Sequence, residues 1–189
     1  MTQLGLLGFA GSLREGSLNR AALLAAVDLA PEGTTIETLG LETIPLYNGD
    51  LDVDGGPEPV RTFKERIAQA DGLLIVTPEY NYSIPGVLKN ALDWASRPAY
   101  KSVLAHKPVA FFGASMSPLG TARAQSQLKH VLLGTLSEVF PYPEVLVGAA
   151  HKKFDESGKL TDAATGEHIA KLLGAYSDWL ASRSGVVVP

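Results

Sequence analysis

Apolar positions along this chain alternate between two rhythms, short unbroken runs and stretches spaced at about three and four. Gln3 to Phe9 is an unbroken leucine-rich run closed by Ala10-Gly11, which suits a strand buried on both faces. Leu73 to Thr77, Val109 to Ala114 and Val145 to Val147 predict further strands, and Thr34 to Leu39 alternates apolar with polar as a strand does. Between them lie helical patterns: Leu18 to Leu29, stopped by Pro31 and Gly33, then Val60 to Ala70, Ile84 to Ser96, Thr121 to Val139, and Gly166 to Ser182. Ser83 with Pro85 reads as the N-cap and first-turn proline of the third helix. Its apolar positions Ile84, Val87, Leu88, Ala91, Leu92 and Ala95 form one face.

Strict strand–helix alternation implies a parallel sheet covered by helices on both faces, because parallel neighbours need long right-handed crossovers. The fold class is α/β, a three-layer sandwich, and five strands in this order suggest the flavodoxin-like arrangement. In such sheets, ligands sit beyond the carboxyl ends of the strands where the strand order reverses. The loops after strands one, three and four are therefore the ones to inspect. A chain of 189 residues is long enough for one core and short for two, so residues 1–182 are expected to form a single domain followed by a tail at 183–189.

Composition removes whole classes of chemistry. No cysteine is present, which excludes disulfides, thiolate catalysis and cysteine-bound metal centres. The net charge of −4 offers no broad positive field for nucleic acid or an anionic membrane. The amino terminus lacks the basic segment of a signal peptide, and no apolar run approaches the roughly twenty residues of a membrane helix. A cytoplasmic location is expected.

The loop after strand one reads GSLREGSLNR, residues 11–20, and carries more donors than a turn needs. A helix N-terminus leaves unpaired N–H groups and roughly half a positive charge, which attract an anion. Ser12 and Ser17 add hydroxyls, Asn19 an amide, and Arg14 a planar fork that can hold two phosphate oxygens. The loop has neither the G-x-x-x-x-G-K-[ST] nor the full G-x-G-x-x-G pattern, so a compact terminal monophosphate fits better than a triphosphate or a pyrophosphate. After strand three, Thr77-Pro78-Glu79-Tyr80-Asn81-Tyr82-Ser83 offers aromatic surface and main-chain donors to a flat heterocycle, with Tyr82 either at that surface or packed beneath the following helix.

G-S-x-R-x-x-S-x-N at residues 11–19, together with TPEYNYSIPGVLKNALDW at residues 77–94, resembles the NADPH-dependent FMN reductase family, which includes bacterial chromate/quinone reductases and some azoreductases. The resemblance implies a flavodoxin-like fold, noncovalent FMN, NADPH as reductant, and homodimers or homotetramers. Carried over by motif, Ser12, Arg14, Ser17 and Asn19, with main-chain groups of Leu13, Glu15, Gly16 and Leu18, would hold the FMN phosphate. Pro78, Glu79, Tyr80 and Asn81 would border the isoalloxazine, chiefly through the main chain. After strand four, Ser115 is carried over, and the inserted Ser117-Pro118 departs from the family's glycine-rich form.

The implied reaction passes hydride from NADPH to flavin N5, then two electrons to a quinone, azo compound, flavin or metal oxyanion, in ping-pong order. Protein groups would supply position and electrostatics, with no side chain acting as acid or base. A flavodoxin-type electron carrier is the competing class, weakened by the mild net charge and by Arg14. A serine hydrolase elbow at Gly113-Ala114-Ser115-Met116-Ser117 is disfavoured, because Ser117 stands where the motif needs glycine. The four histidines are scattered without ligand spacing, so no metal site is expected. Trp94 and Trp179 read as packing residues, and Arg123, Gln125 and Gln127 as a dimer contact or a solvated helix face.

Overall fold

A computed structural model describes residues 3–183. The strands are β1 (Leu4–Ala10), β2 (Thr34–Thr38), β3 (Gly72–Val76), β4 (Pro108–Ala114), β5 (Glu138–Val139) and β6 (Leu146–Val147). The helices are α1 (Leu18–Asp28), α2 (Glu58–Gln69), α3 (Gly86–Ala95), α4 (Ala122–Gly134) and α5 (Ala163–Arg183). All pairings among these strands are parallel, in the order β2-β1-β3-β4-β5, and β6 pairs with the carboxyl end of β4.

Alternating strand residues feed two cores. Leu4, Leu6, Leu74, Val76 and Phe112 pack with α1 and α5 on one side, while Leu7, Phe9, Leu73, Ile75 and Val109 pack with α2, α3 and α4 on the other. Burial on both faces explains why β1 and β3 are unbroken apolar runs. Trp94 is wholly buried, with its indole N–H donating to the Pro45 carbonyl, and Trp179 packs on Phe140 and Tyr176.

Three of the differences from the sequence expectation have a clear local reason. The fourth helix ends at Gly134, not Val139: Ser137 N–H donates to the Leu132 carbonyl and Leu136 N–H to the Leu133 carbonyl, at 3.0 and 3.1 Å. This is a Schellman stop with Leu136 at φ +61° where glycine usually stands, so its ordinary signal is missing. The strand expected at 145–147 is β6, which pairs with Gly113 and Ala114, and a further short strand, β5, lies inside the expected helix and pairs with Pro108 and Val109. Pro141 and Pro143 lie between and cannot donate to a ladder. The last helix begins at Ala163, not Gly166, because the Asp162 carboxylate accepts from Thr165 N–H at 3.0 Å.

Among the described residues, no helix is long and apolar enough to cross a membrane.

Candidate cofactor site

Sheet register brings the three loops to one rim. Ala10 pairs with Val76, and Val76 with Phe112, so β1, β3 and β4 end side by side. The chain passes from β1 outward to β2 and returns on the other side as β3, so the order reverses between β1 and β3. A crevice at such a point collects the loops of two crossovers. Gly11 N–H, donating to the Val76 carbonyl at 2.9 Å, closes the first loop onto β3.

The first loop retains an unusual supply of free donors. Ser17 is the N-cap of α1, its hydroxyl accepting from Arg20 N–H at 3.3 Å. The N–H groups of Leu13, Arg14, Glu15, Gly16, Leu18 and Asn19 donate to no other described residue. Ser12 is buried, yet its hydroxyl makes no hydrogen bond among the described residues, while Leu13 to Gly16 are exposed. A Cβ at Gly16 would meet nothing within 4 Å, and its φ lies outside the left-handed region. Neither packing nor backbone conformation demands that glycine, so the space it leaves suits a ligand brought close to the main chain. A run of unpaired N–H groups, a free hydroxyl, a guanidinium and a helix N-terminus fit a phosphate dianion.

Asn19 is placed differently from the expectation. It is buried, its Nδ2 donates to the Ala114 carbonyl and its Oδ1 accepts from Ala114 N–H, both at 2.9 Å. The amide thus clamps α1 to the end of β4, which makes this side chain a positioning part of the loop. Glu79 is similarly absorbed. Its Oε2 accepts from Arg123 N–H at 3.0 Å and Ala124 N–H at 3.1 Å, capping α4 from outside. Thr121, the residue at the cap position, makes no such bond. A carboxylate at the positive end of a helix is favourably placed.

The segment after β3 closes into a tight turn. Tyr80 N–H donates to the Ser83 carbonyl and Ser83 N–H to the Tyr80 carbonyl, both at 3.0 Å, with Asn81 at φ +51° and Tyr82 at φ +67°. Two left-handed central residues make this a type I′ turn. Ser83 therefore closes a turn instead of capping a helix, and α3 begins after Pro85 without a side-chain cap. Tyr82 is not packed beneath α3: it is 66% exposed, and the Arg123 guanidinium lies 4.3 Å from its ring centre. Arg123 also pairs with Glu79 at 3.4 Å.

Ser115 braces the third loop. Its hydroxyl accepts from Ser117 N–H at 3.1 Å, its N–H donates to the Val147 carbonyl, and its carbonyl accepts from Ala150 N–H. No histidine bonds to it among the described residues, so the hydrolase reading has no base in place; the His130 ring bonds the Ser126 carbonyl instead. Gly113 is forced by close approach, since a Cβ there would lie 2.1 Å from the Thr77 carbonyl oxygen and 2.2 Å from the Thr121 hydroxyl. Gln125, expected on a contact or solvated face, is fully buried and donates to Thr121 Oγ1 and the Val145 carbonyl at 3.0 Å. Arg123, expected at a dimer contact or on a solvated helix face, pairs with Glu79 and lies over the Tyr82 ring. The signal for Arg123 was its place in the first turn of a helix that follows a ligand loop.

Among the described residues, the cavity at the rim beside the first loop is small. The cavity beside the first loop, lined by Ser12, Arg20, Leu23 and residues 38–42, holds about 110 Å³, well under the roughly 300–1,000 Å³ of enclosed ligand pockets. It lies on the β2 side of β1, away from the β1/β3 crevice. A flat cofactor would therefore lie across an open rim, with one face available to a second molecule.

The strand order and the donor-rich loop at its reversal point define a flavodoxin-like fold. The profile of the NADPH-dependent FMN reductases matches residues 4–152, and the chain belongs to that family. It is 46% identical over 175 residues to an NAD(P)H-dependent FMN reductase of Pseudomonas aeruginosa, covering 93% of this chain and 94% of the other. It is 42% identical to a 2-hydroxy-1,4-benzoquinone reductase of a Burkholderia species, covering 92% and 94%. Among solved structures, FerB, a flavoenzyme NAD(P)H:(acceptor) oxidoreductase from Paracoccus denitrificans, superposes with a TM-score of 0.84 at 34% identity, covering 95% of this chain and 98% of FerB. The chain is an oxidoreductase that works with FMN and a reduced nicotinamide nucleotide.

Proposed function

We propose that this protein is an FMN-dependent NAD(P)H:quinone reductase whose first loop holds the FMN phosphate and whose 78–81 segment borders the flavin ring. The observation that carries the reading is the cluster of unpaired N–H groups around an uncrowded Gly16, at the point where the strand order reverses. Quinone as acceptor is supported by relatives named quinone reductase, including that of Escherichia coli at 39% identity, and by the open rim.

When bound, FMN would supply the two-electron chemistry between the nicotinamide nucleotide and the acceptor. The protein's part is positional. Ser12, Arg14 and the N–H groups of Leu13, Arg14, Glu15, Gly16, Leu18 and Asn19 would grip the phosphate, and the Asn19–Ala114 clamp holds that loop against β4. The turn at 80–83 and the Glu79 cap fix the main chain of 78–81, where the N–H groups of Glu79 and Asn81, unpaired among the described residues, can face negative charge developing at the pyrimidine edge. Overall, one quinone takes up a hydride equivalent and a proton to give the hydroquinone, and NAD(P)H leaves as NAD(P)⁺. Nicotinamide and quinone use the same open face in turn, so initial-rate lines at varied quinone run parallel.

Anaerobic mixing of the FMN-loaded protein with NADPH tests the reading directly. Rapid bleaching of the flavin band, reversed by a quinone, is expected. A band that persists would leave an electron carrier in its place. Arg14→Ala weakens FMN retention roughly tenfold, the low end for a charge-assisted phosphate contact, and unchanged affinity by fluorescence titration returns Arg14 to solvent.

A further inference from the structure

The recess beside the first loop lies outside the β1/β3 crevice, yet polar groups surround it. It opens at the carboxyl end of β2, where Leu39 N–H donates to the Gly8 carbonyl at 2.9 Å and ties the chain leaving β2 to β1. Arg20 lines it from the first turn of α1, and Glu42 from the turn that follows β2. Both are exposed, and neither side chain makes an ion pair or a hydrogen bond among the described residues. The N–H groups of Gly40, Leu41 and Glu42 likewise donate to no other described residue, and the buried Ser12 borders the recess with its free hydroxyl. The Glu42 carboxylate occupies the space that a Cβ at Gly40 would fill, so this glycine lets the carboxylate lie against the main chain there. Leu24, 57% exposed, forms an apolar lip. A guanidinium and a carboxylate that line one recess without meeting each other leave room for a group that either can bind.

We propose that this recess reads the adenosine ribose of the reduced nicotinamide nucleotide, with Arg20 holding a 2′-phosphate and Glu42 accepting a hydrogen bond from a free 2′-hydroxyl. The inference rests on the reductase reading above for the identity of its ligand. A volume of about 110 Å³ admits a phosphate or the edge of a ribose and not a whole nucleoside, so the adenine lies outside, over Leu24. In doubly wound sheets, the residues just beyond the second strand are placed to read that ribose, an acidic side chain taking the hydroxyl and an arginine the phosphate. Here the first loop serves the flavin phosphate, and the end of the second strand stays free for the other nucleotide. Neighbouring strands lie about 4.8 Å apart, so the recess at β2 stands about 10 Å from the segment after β3, a distance that a dinucleotide stretched from the flavin face can span. Each nucleotide finds one favourable partner. NADPH gains the guanidinium and bears repulsion from the carboxylate, whereas NADH gains the carboxylate. The two side chains therefore pull the choice of reductant in opposite directions.

The test has a kinetic and a binding arm, both on the FMN-loaded protein. With 1,4-naphthoquinone as acceptor, Arg20→Gln lowers the ratio of kcat/KM for NADPH to that for NADH about tenfold, mostly through the NADPH KM, as loss of one charge-assisted phosphate contact requires. Glu42→Gln raises the same ratio about three- to tenfold by removing a like charge. In calorimetric titration, adenosine 2′,5′-bisphosphate binds about tenfold more weakly to Arg20→Gln and more tightly to Glu42→Gln. Adenosine 5′-monophosphate, which lacks the 2′-phosphate, loses nothing in Arg20→Gln. FMN affinity stays within about twofold in both variants, because the recess is separate from the flavin crevice. Unchanged ratios, shifts of both variants in the same direction, or an Arg20→Gln loss confined to FMN affinity overturn the assignment. If the bisphosphate binds as described but NADPH does not bleach the flavin, the reductase reading falls and the ribose site stands. If the flavin bleaches and neither variant discriminates between the nucleotides, the ribose site falls and the reductase reading stands.

Discussion

Replacing Asn19 separates the two roles that this residue could have at the rim. In the structure, its amide closes both main-chain groups of Ala114 at 2.9 Å in a buried position. Asn19→Ala leaves a buried N–H and a buried C=O without partners, each costing about 1–3 kcal/mol. Partial entry of water and relaxation of the β4 end reduce that sum, so a loss of about 2–4 kcal/mol is expected. For a chain of this size that is a drop of about 5–15 °C in the thermal midpoint. The measurement is made on FMN-free protein, because bound cofactor would add its own stabilisation. Asn19→Asp sharpens the test. Its carboxylate can still accept from Ala114 N–H but opposes the Ala114 carbonyl, so this variant is destabilised at neutral pH. It recovers part of the loss as the pH falls and the carboxyl gains a proton to donate. If Asn19→Ala leaves the FMN-free midpoint unchanged while FMN affinity falls tenfold or more, the clamp is wrong and Asn19 is a phosphate donor.

Gly113→Ala forces a methyl group to within 2.1 Å of the Thr77 carbonyl oxygen, so a loss of about 2–3 kcal/mol in urea unfolding is expected from overpacking, and a wild-type midpoint would contradict the close approach. The Tyr176 hydroxyl is buried and lacks a well-formed hydrogen bond, and burial raises its pKa far above the ordinary value. Tyr176→Phe should therefore be neutral or stabilising by up to about 1 kcal/mol, whereas a loss above that would show that the hydroxyl has a partner. Hydrogen bonds from the Thr165 hydroxyl and N–H hold the Asp162 carboxyl below its ordinary value of 3.8. The folded state thus binds its proton less readily than the unfolded chain does, so its contribution is present above pH 3.8 and fades as the pH falls through the folded value. Asp162→Asn should lower the thermal midpoint at pH 7 and converge on wild type in acid, and a difference independent of pH would refute the coupling.

The doubly wound sheet was legible because its central strands are buried on both faces, and such strands cannot be written except as apolar runs like Leu73 to Val76. Its far edge was legible only in part: the strand expected at 145–147 is β6, whereas β5 pairs over only two residues, too short for any periodicity, and lies inside the expected fourth helix. The end of α4 was hidden for a different reason: Leu136 takes the left-handed position that glycine would have advertised. Ser83-Ile84-Pro85 shows the reverse error, a helix-start signal used to close a turn. Capping chemistry is local, and which backbone a serine serves depends on where the preceding strand delivers the chain.

At the rim, sequence located the loops but could not tell which side chains point outward. Topology alone fixes where residues 12–19, 78–83 and 115–120 meet, since strands ending side by side must deliver their loops together. Asn19, Glu79 and Ser115 have the chemistry of ligands, and in the structure each binds main chain instead: Ala114, the start of α4, and Ser117. Their polarity is needed because the loops are close-packed and their backbone groups would otherwise be buried unpaired. That bracing has a consequence for binding. With these three side chains bonded to main chain, the donors left for an anion include main-chain N–H groups, the Ser12 hydroxyl, the Ser17 hydroxyl, which accepts from Arg20 N–H but keeps its own hydrogen, and the Arg14 fork, and the aromatic rings left exposed are Tyr80 and Tyr82. A site of this kind would hold a cofactor by loop shape more than by side-chain identity. Substitutions that loosen the loops should therefore cost more FMN affinity than removal of any single exposed donor.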